Sequence, residues 1–287
     1  MSNIQSITLS SDVYPEQLRT IDTPPRKLRY VGDLGASLAQ PLLAVVGSRK
    51  VTPYGKAVTS MLAMQAAAQG ITIVSGLALG VDGIAHQAAL EGKGKTIAVL
   101  PSGLQKIYPS SHQNLATNII ANGGALITEY EDNMAPFKTN FIARNRIISG
   151  LSDAVLVTEA ALKSGSLHTA NFALEQGKTV LAVPGNITSQ FSGGTNNLIK
   201  SGAIPVTDIR DILSAIGLQT RQKEQLLPMG DTDEETLIIQ LLNEGVSDGA
   251  ELLHRSKLQV GIFNQSLTML EINGKIRPVG AGHWSLA

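Results

Sequence analysis

The chain has 287 residues, with 23 Lys and Arg balanced by 23 Asp and Glu. Its hydrophobic share of 43% is enough for a sizeable core, which excludes wholesale disorder, and the even charge excludes a uniformly basic coat. Cysteine is absent, so disulfides, thiolate zinc sites, iron–sulfur clusters and a cysteine nucleophile are excluded.

The first 40 residues begin with a segment that has early acids and no apolar core, so it does not read as a signal peptide. This part is expected to pack on the main domain as an extension. No run approaches the length of a membrane span, so no membrane segment is expected and the expected location is the cytoplasm.

From residue 41 onward, short apolar runs alternate with helical patterns. Leu42–Val46, Ile71–Val74, Thr96–Leu100, Ala125–Thr128, Ala154–Thr158, Thr179–Val183 and Ala203–Val206 read as buried strands bounded by Gly, Ser or Pro. Helices are predicted near 54–69, 82–91, 111–121, 140–149, 166–176 and 208–215. Gly70, Gly92 and Gly177 stand where helices stop. Continuous apolar strands alternating with helices indicate a mostly parallel sheet covered on both faces, an α/β, doubly wound, Rossmann-like domain over 41–216. Residues 217–233 follow neither period, contain Pro228 and Gly230, and read as a linker. Helical patterns at 234–243, 247–254 and 259–273, then two short strands at Lys275–Arg277 and His283–Leu286, give residues 234–287 a winged-helix arrangement.

The zero net charge hides a division. Residues 41–216 hold 13 basic and 10 acidic side chains, whereas 234–287 hold 4 and 6. The third helix of the last module, from Gln259 to Leu267, has no Lys or Arg, so protein contact or dimer support fits it better than reading a DNA groove.

In an open parallel sheet, ligands bind beyond the carboxyl ends of the strands. The loops there are rich in Gly and Ser: Gly47-Ser48-Arg49, Ser75-Gly76 to Asp82, Pro101-Ser102-Gly103, Lys163-Ser164-Gly165-Ser166, and Pro184-Gly185-Asn186 continuing to Gly193-Gly194-Thr195-Asn196. One such loop is explained by turn geometry alone. Five on one edge predict a rim where backbone N–H groups at helix starts hold phosphates. The dinucleotide fingerprint is missing. The Gly94-Lys95-Thr96 triplet is a P-loop decoy, since the required earlier glycine is Ala89 and the segment enters a strand. No cofactor and no metal are expected.

Cations fall on the same edge. Arg49, Lys138, Arg144, Arg146, Lys163 and Lys200 are joined by Phe137 and Phe141, and single strands of nucleic acid are bound by such mixtures of cations and aromatic faces. Either arginine of the 144/146 pair can instead be structural, with Asp153, Glu159 or Glu129 as partner. Asp82 and His86, four apart, fit a metal or acid–base pair less well than a helix cap at Asp82. His112 and His168 stand alone.

Taken in order, these segments resemble the DNA-processing protein A family (DprA, also called Smf). The resemblance runs from Tyr14-Pro15 through Thr23-Pro24-Pro25, Val45-Val46-Gly47-Ser48-Arg49, Thr52-Pro53-Tyr54-Gly55, Ser75-Gly76-Leu77-Ala78-Leu79-Gly80-Val81-Asp82 and Tyr108-Pro109. It continues through Arg144-Asn145-Arg146, Ser164-Gly165-Ser166-Leu167, Val183-Pro184-Gly185 and Asn197-Leu198-Ile199, covering about 14–213. The resemblance implies a non-enzymatic protein that binds and protects incoming single-stranded DNA. It also implies a homodimer that loads a RecA-type recombinase during natural transformation or recombination. By position it assigns Arg49 to a DNA phosphate, and Phe141 with its neighbouring cations to the strand's path. Lys163 and Lys200 lie in segments where such lysines occur. Many members carry a further helical domain ahead of the Rossmann-like part, which is expected to be missing or reduced here.

The expected interface is thus Gly47, Ser48, Arg49, Lys138, Phe141, Arg144, Arg146, Lys163, Ser164, Gly165, Ser166 and Lys200, with the cations gathered on one edge. Two rival readings remain. One is a nucleotide-processing enzyme, phosphoribohydrolase-like, with Glu159 or Glu129 set against Gly193-Gly194-Thr195. The other is an adaptor that works through the winged-helix module alone.

Overall fold

In the computed structural model, which describes residues 4–218, 230–280 and 282–286, the chain divides into two units, Met1–Gln219 and Thr220–Ala287. In the first, β1 (Gln5–Thr8), α1 (Glu16–Arg19), β2 (Lys27–Gly32) and α2 (Leu34–Leu38) come before β3 (Leu42–Val46). There follow α3 (Pro53–Ala68), β4 (Thr72–Ser75), α4 (Val81–Glu91), β5 (Thr96–Val99), a 3₁₀ turn at Ser110–His112, α5 (Gln113–Ala121) and β6 (Ala125–Thr128). Two abutting helices, α6 (Lys138–Ala143) and α7 (Asn145–Leu151), lead to β7 (Ala154–Val157) and α8 (Ser166–Glu175). β8 (Thr179–Ala182), α9 (Gly193–Lys200), β9 (Ile204–Pro205) and α10 (Ile209–Ala215) end the unit.

The strands form one sheet in the order β1-β2-β6-β5-β4-β3-β7-β8-β9. All neighbours from β6 to β9 run parallel, while β1–β2 and β2–β6 pair antiparallel. A strand alternates its side chains between faces, so a strand buried on both sides reads as unbroken apolar sequence. β3 shows this: Leu42, Ala44 and Val46 enter one core with Ile147, Ile148 and Ala170, while Leu43 and Val45 enter another with Leu62, Ala66 and Ala85.

Three sequence expectations need correction. Residues 1–40 are not merely laid against the domain, because β1 and β2 extend its sheet. Their alternating polar residues hid them; β2 buries only Leu28 and Val31 fully. The stretch 140–149 is two helices meeting at Arg144. The run Gly193–Asn196, read as part of a loop, opens α9, whose glycine-rich start lets the Gly194 N–H reach the Ala160 carbonyl at 2.7 Å.

The expected linker at 217–233 lies mostly at 219–229, outside the described residues. The second unit contains α11 (Asp233–Asn243), α12 (Gly249–Ser256), α13 (Val260–Ile272) and an antiparallel hairpin of β10 (Ile276–Gly280) and β11 (His283–Leu286). Thr232 and Asp248 cap α11 and α12 by accepting from Glu235 and Glu251 N–H. Ile238, Leu242, Leu252, Phe263, Leu267 and Ile276 make its core. Three helices followed by a hairpin is the winged-helix arrangement.

Candidate nucleic-acid interface

The sheet reverses its winding between β3 and β7: β4, β5 and β6 lie on one side of β3, β7 and β8 on the other. Connections leaving the strands at such a point diverge and open a crevice. Here the crevice is a cleft of about 600 Å³, to which five strand ends contribute. Gly47 and Arg49 follow β3, Ala78 and Asp82 follow β4, and Tyr108 follows β5. Lys138, Phe141 and Arg144 come from the crossing after β6, and Ser164, Gly165 and Ser166 follow β7. The loop from Pro184 to Asn196, expected on this rim, does not line the cleft, and the crossing after β6 takes its place.

Gly47 must be a glycine for packing reasons. A Cβ there would stand 2.6 Å from Val81 Cγ2 and 2.7 Å from the Glu159 carbonyl oxygen. The next N–H, from Ser48, donates to that same carbonyl at 2.7 Å. Ser48 itself is buried, and its hydroxyl donates to the Lys50 carbonyl at 2.7 Å. It shapes the turn and does not line the cleft. Arg49 is exposed at the cleft, its guanidinium 5.0 Å from the centre of the Phe141 ring. It forms no ion pair among the described residues. Lys138, also exposed, starts α6 and lines the same cleft.

Arg144 is a correction to the expected set of free cations. It is 3% exposed, and one guanidinium nitrogen donates to the carbonyls of both Gly76 and Val99. A Cβ at residue 76 would overlap this guanidinium, which accounts for Gly76. Asp82 Oδ2 lies 3.9 Å from Arg144 and accepts from the Gly76 and Ala78 N–H groups at 3.2 and 3.4 Å. Burial pushes the Asp82 carboxyl up and lowers the Arg144 guanidinium to about 10, each opposed by the partner's charge. Arg144 therefore keeps its charge at neutral pH and forms the floor of the cleft, tying the ends of β4 and β5 together. Asp82 sits in the first turn of α4 behind its N-cap, Gly80, and braces the preceding loop.

Arg146 is a second correction. It makes a two-pronged pair with Glu129 at 2.7 Å for both bonds and donates to the Thr23 carbonyl at 2.9 Å. It ties the N-terminal segment to the end of β6 and lines no part of the cleft. Lys163 is exposed in the β7–α8 loop beside Ser164, outside the cleft lining. Lys200 is exposed at the far end of α9, also outside it. The six cations expected together on one edge are thus dispersed: Arg49, Lys138 and Arg144 line the cleft, Lys163 lies beside it next to Ser164, and Arg146 and Lys200 lie outside its lining. Ser164 and Ser166 share a hydroxyl–hydroxyl bond of 2.8 Å at the start of α8, whose N-cap, Gly165, supplies no side-chain cap. The positive end of that helix opens on the cleft.

Asp82 and His86 do not share a site. His86 is fully buried and its Nδ1 bonds Thr96 Oγ1 at 2.7 Å; burial lowers its pKa to about 3. His112 Nδ1 bonds the Leu77 carbonyl at 2.9 Å. Among the described residues, no group of three or more His, Asp or Glu is placed to hold a metal. The carboxylates needed for the enzyme reading are both engaged. Glu159 is 3% exposed and accepts from Thr52 N–H and Oγ1 at 2.9 and 2.5 Å, while Glu129 holds Arg146. Asp153 accepts from the Leu42 N–H at 2.8 Å.

Tyr108 is a cleft residue the site reading missed; it entered only as part of a motif. Its ring meets Phe141 edge to face, 5.4 Å between centres and 79° between planes. The available signal was an aromatic two residues after Lys106 in a strand–helix connection.

Comparison with known proteins places the chain among relatives of one family. The family described as DNA recombination-mediator protein A matches residues 5–217. Protein Smf of Escherichia coli (strain K12) is 48% identical over 211 residues, which cover 74% of this chain and 56% of that protein. DNA processing protein DprA of Bacillus subtilis (strain 168) is 41% identical, with 74% and 71% covered. The chain thus spans little more than half the length of the Escherichia coli relative. Among solved structures, DNA processing protein A from Streptococcus pneumoniae superposes with a TM-score of 0.70 at 41% identity, covering 74% of each chain. The Helicobacter pylori protein, whose structure is described in terms of its single-stranded DNA binding mode, gives 0.66 at 36% identity, covering 74% of this chain and 95% of that one. The chain belongs to the DNA recombination-mediator protein A family.

Proposed function

We propose that the cleft holds a single strand of DNA, and that the protein shields this strand and passes it to a RecA-type recombinase. It would act as a homodimer during natural transformation or another recombination event. The observation that carries this reading is that exposed Arg49 and Lys138 line one cleft together with the buried, charged Arg144. An extended polyanion needs cations along its path and aromatic surface for its bases, and the cleft has both. The start of α8, where Gly165 and Ser166 line the cleft, adds the positive end of a helix dipole. Lys163, next to Ser164 of the cleft lining, extends the path beyond it. The single-strand binding described for the Helicobacter pylori relative supports the same reading.

The enzyme rival needs a free carboxylate, and both of its candidates are engaged in structure. The test is direct. The full chain should protect a labelled single strand from an exonuclease and raise strand exchange by a RecA-type recombinase on strands already covered by a single-strand-binding protein. Protection without stimulation would refute the hand-over. Release of free base from nucleoside monophosphates, with no protection of the strand, would refute the reading as a whole.

A further inference from the structure

The first unit has a second concavity, an apolar pocket of about 290 Å³ whose lining shares no residue with the strand-end cleft. Val31 of β2 and Leu126 of β6 are register partners and line it together, joined by Ile4 just ahead of β1. Leu104 and Ile107, from the connection after β5, and one side of α5 complete the lining. The α5 residues Ala116, Thr117 and Ala121 are small, and larger side chains there would fill the space. Close-packed interiors hold few voids larger than a water molecule, so a space of this size is set by the choice of these side chains.

The lining narrows the ligand. It has no Lys, Arg, His, Asp or Glu, so a nucleotide, a phosphate or a carboxylate would lose its hydration with no charge to replace it. A protein surface fits poorly too. The large apolar side chains of the lining are all buried or half-buried, and the exposed side chains of α5 include Asn114, Asn118 and Asn122. Protein docking centres on large anchors in broad contact, whereas here the apolar surface lies within the concavity. An apolar cavity of about 150 Å³ holds one benzene ring, so about twice that volume suits two fused rings. The Thr117 hydroxyl is spent on the Gln113 carbonyl at 3.1 Å. The Gln113 carboxamide, exposed on the lining, has no partner among the described residues and offers both donors and an acceptor.

We propose that this pocket binds an uncharged bicyclic aromatic molecule with one hydrogen-bonding group, which Gln113 pairs. The proposal stands apart from the single-strand reading, since the two sites share no lining residue.

Indole has that size and one N–H, and indene has nearly the same shape without it. Full-length parent, Gln113→Ala and Ala121→Phe chains are titrated with both by calorimetry, and amide shifts in nuclear magnetic resonance locate the site. The parent should bind indole saturably with a Kd below about 1 mM, shifting the amides of Ile107, Thr117 and Ala121. Gln113→Ala should weaken indole about fivefold and leave indene unchanged. Ala121→Phe, which adds a ring at an exposed position of α5, should weaken both by about tenfold or more while keeping the parent's melting curve and single-strand affinity. Indoleacetate, with the same rings and a carboxylate, and N-acetyltryptophanamide, with the ring on a peptide backbone, should each bind more weakly than indole. No saturable binding of indole by the parent, shifts centred on Arg49 and Phe141, or an Ala121→Phe chain that binds like the parent would overturn the proposal. Tighter binding of N-acetyltryptophanamide would assign the pocket to a peptide and overturn it as well. If Ala121→Phe does not fold, the contrast between indole and indene in Gln113→Ala decides: equal change in both refutes the role of Gln113.

Discussion

The strand-end cleft of the first unit and the third helix of the second, α13, are both surfaces where proteins of their architectures meet nucleic acid. They are built in opposite ways. The cleft is lined by exposed Arg49 and Lys138, the buried guanidinium of Arg144 and the start of α8. The outer face of α13 presents Val260, Ile262, Asn264, Gln265, Thr268, Met269 and Ile272, with no cation. Counterion release by cations drives binding to a phosphate backbone. Likeness of fold therefore does not make α13 a DNA reader; charge placement decides, and it favours the cleft.

The sharpest way to break this comparison is to remove the floor. Arg144→Met leaves Asp82 buried without its partner and the Gly76 and Val99 carbonyls without a donor. The expected loss is about 3–5 kcal/mol of first-unit stability. Unfolding followed by circular dichroism should show it. Emission from Trp284, the single tryptophan, which lies in the hairpin of the second unit, should not.

Acid should act on the same unit. His86 has an ordinary value of 6.5 and is held at about 3 by burial, so between these values the unfolded chain takes up a proton that the folded one refuses. The resulting stability is present above pH 6.5 and is lost as pH falls toward 3, by an amount on the order of a few kcal/mol. In His86→Gln this part of the pH slope should disappear, as measured by denaturant unfolding at pH 7 and pH 4.5.

Smaller effects sharpen the comparison at the DNA. Lys138→Ala should weaken single-strand binding by about 1 kcal/mol, whereas Lys200→Ala, away from the cleft, should cost less than about 0.5 kcal/mol. Ile262→Ser on α13 should leave single-strand affinity within about twofold of the parent. Fluorescence anisotropy at fixed salt measures all three.

The parallel sheet was legible because strands buried on both faces are continuous apolar words, and all seven ended within a residue of their predicted bounds at both ends, with Leu42–Val46 and Ala125–Thr128 matching at both. β1 and β2 were not, because edge strands mix polar residues into their runs. α9 was hidden by Gly193 and Gly194, poor helix formers that a close approach to β7's loop requires. At the site, Arg49 and Lys138 were legible because their neighbours in sequence place them. The burial of Arg144 was not. Its partners, Gly76, Asp82 and Val99, stand 45 to 68 residues away along the chain and meet it only across the strand ends. An arginine in a basic stretch reads as a free cation until such long-range acceptors are known, and the Arg146–Glu129 pair shows the same.

The central claim is that Arg49 in the cleft meets the DNA backbone. A salt titration with single-stranded and duplex oligonucleotides of several sequences, on the full chain and on Arg49→Ala, tests it most directly. Single strands should bind more tightly than duplexes, with affinity falling linearly in log salt, and Arg49→Ala should lose about tenfold equally across sequences, with a slope smaller by about 0.7. An Arg49→Ala chain that binds single strands as tightly as the parent, with the same slope, would contradict it.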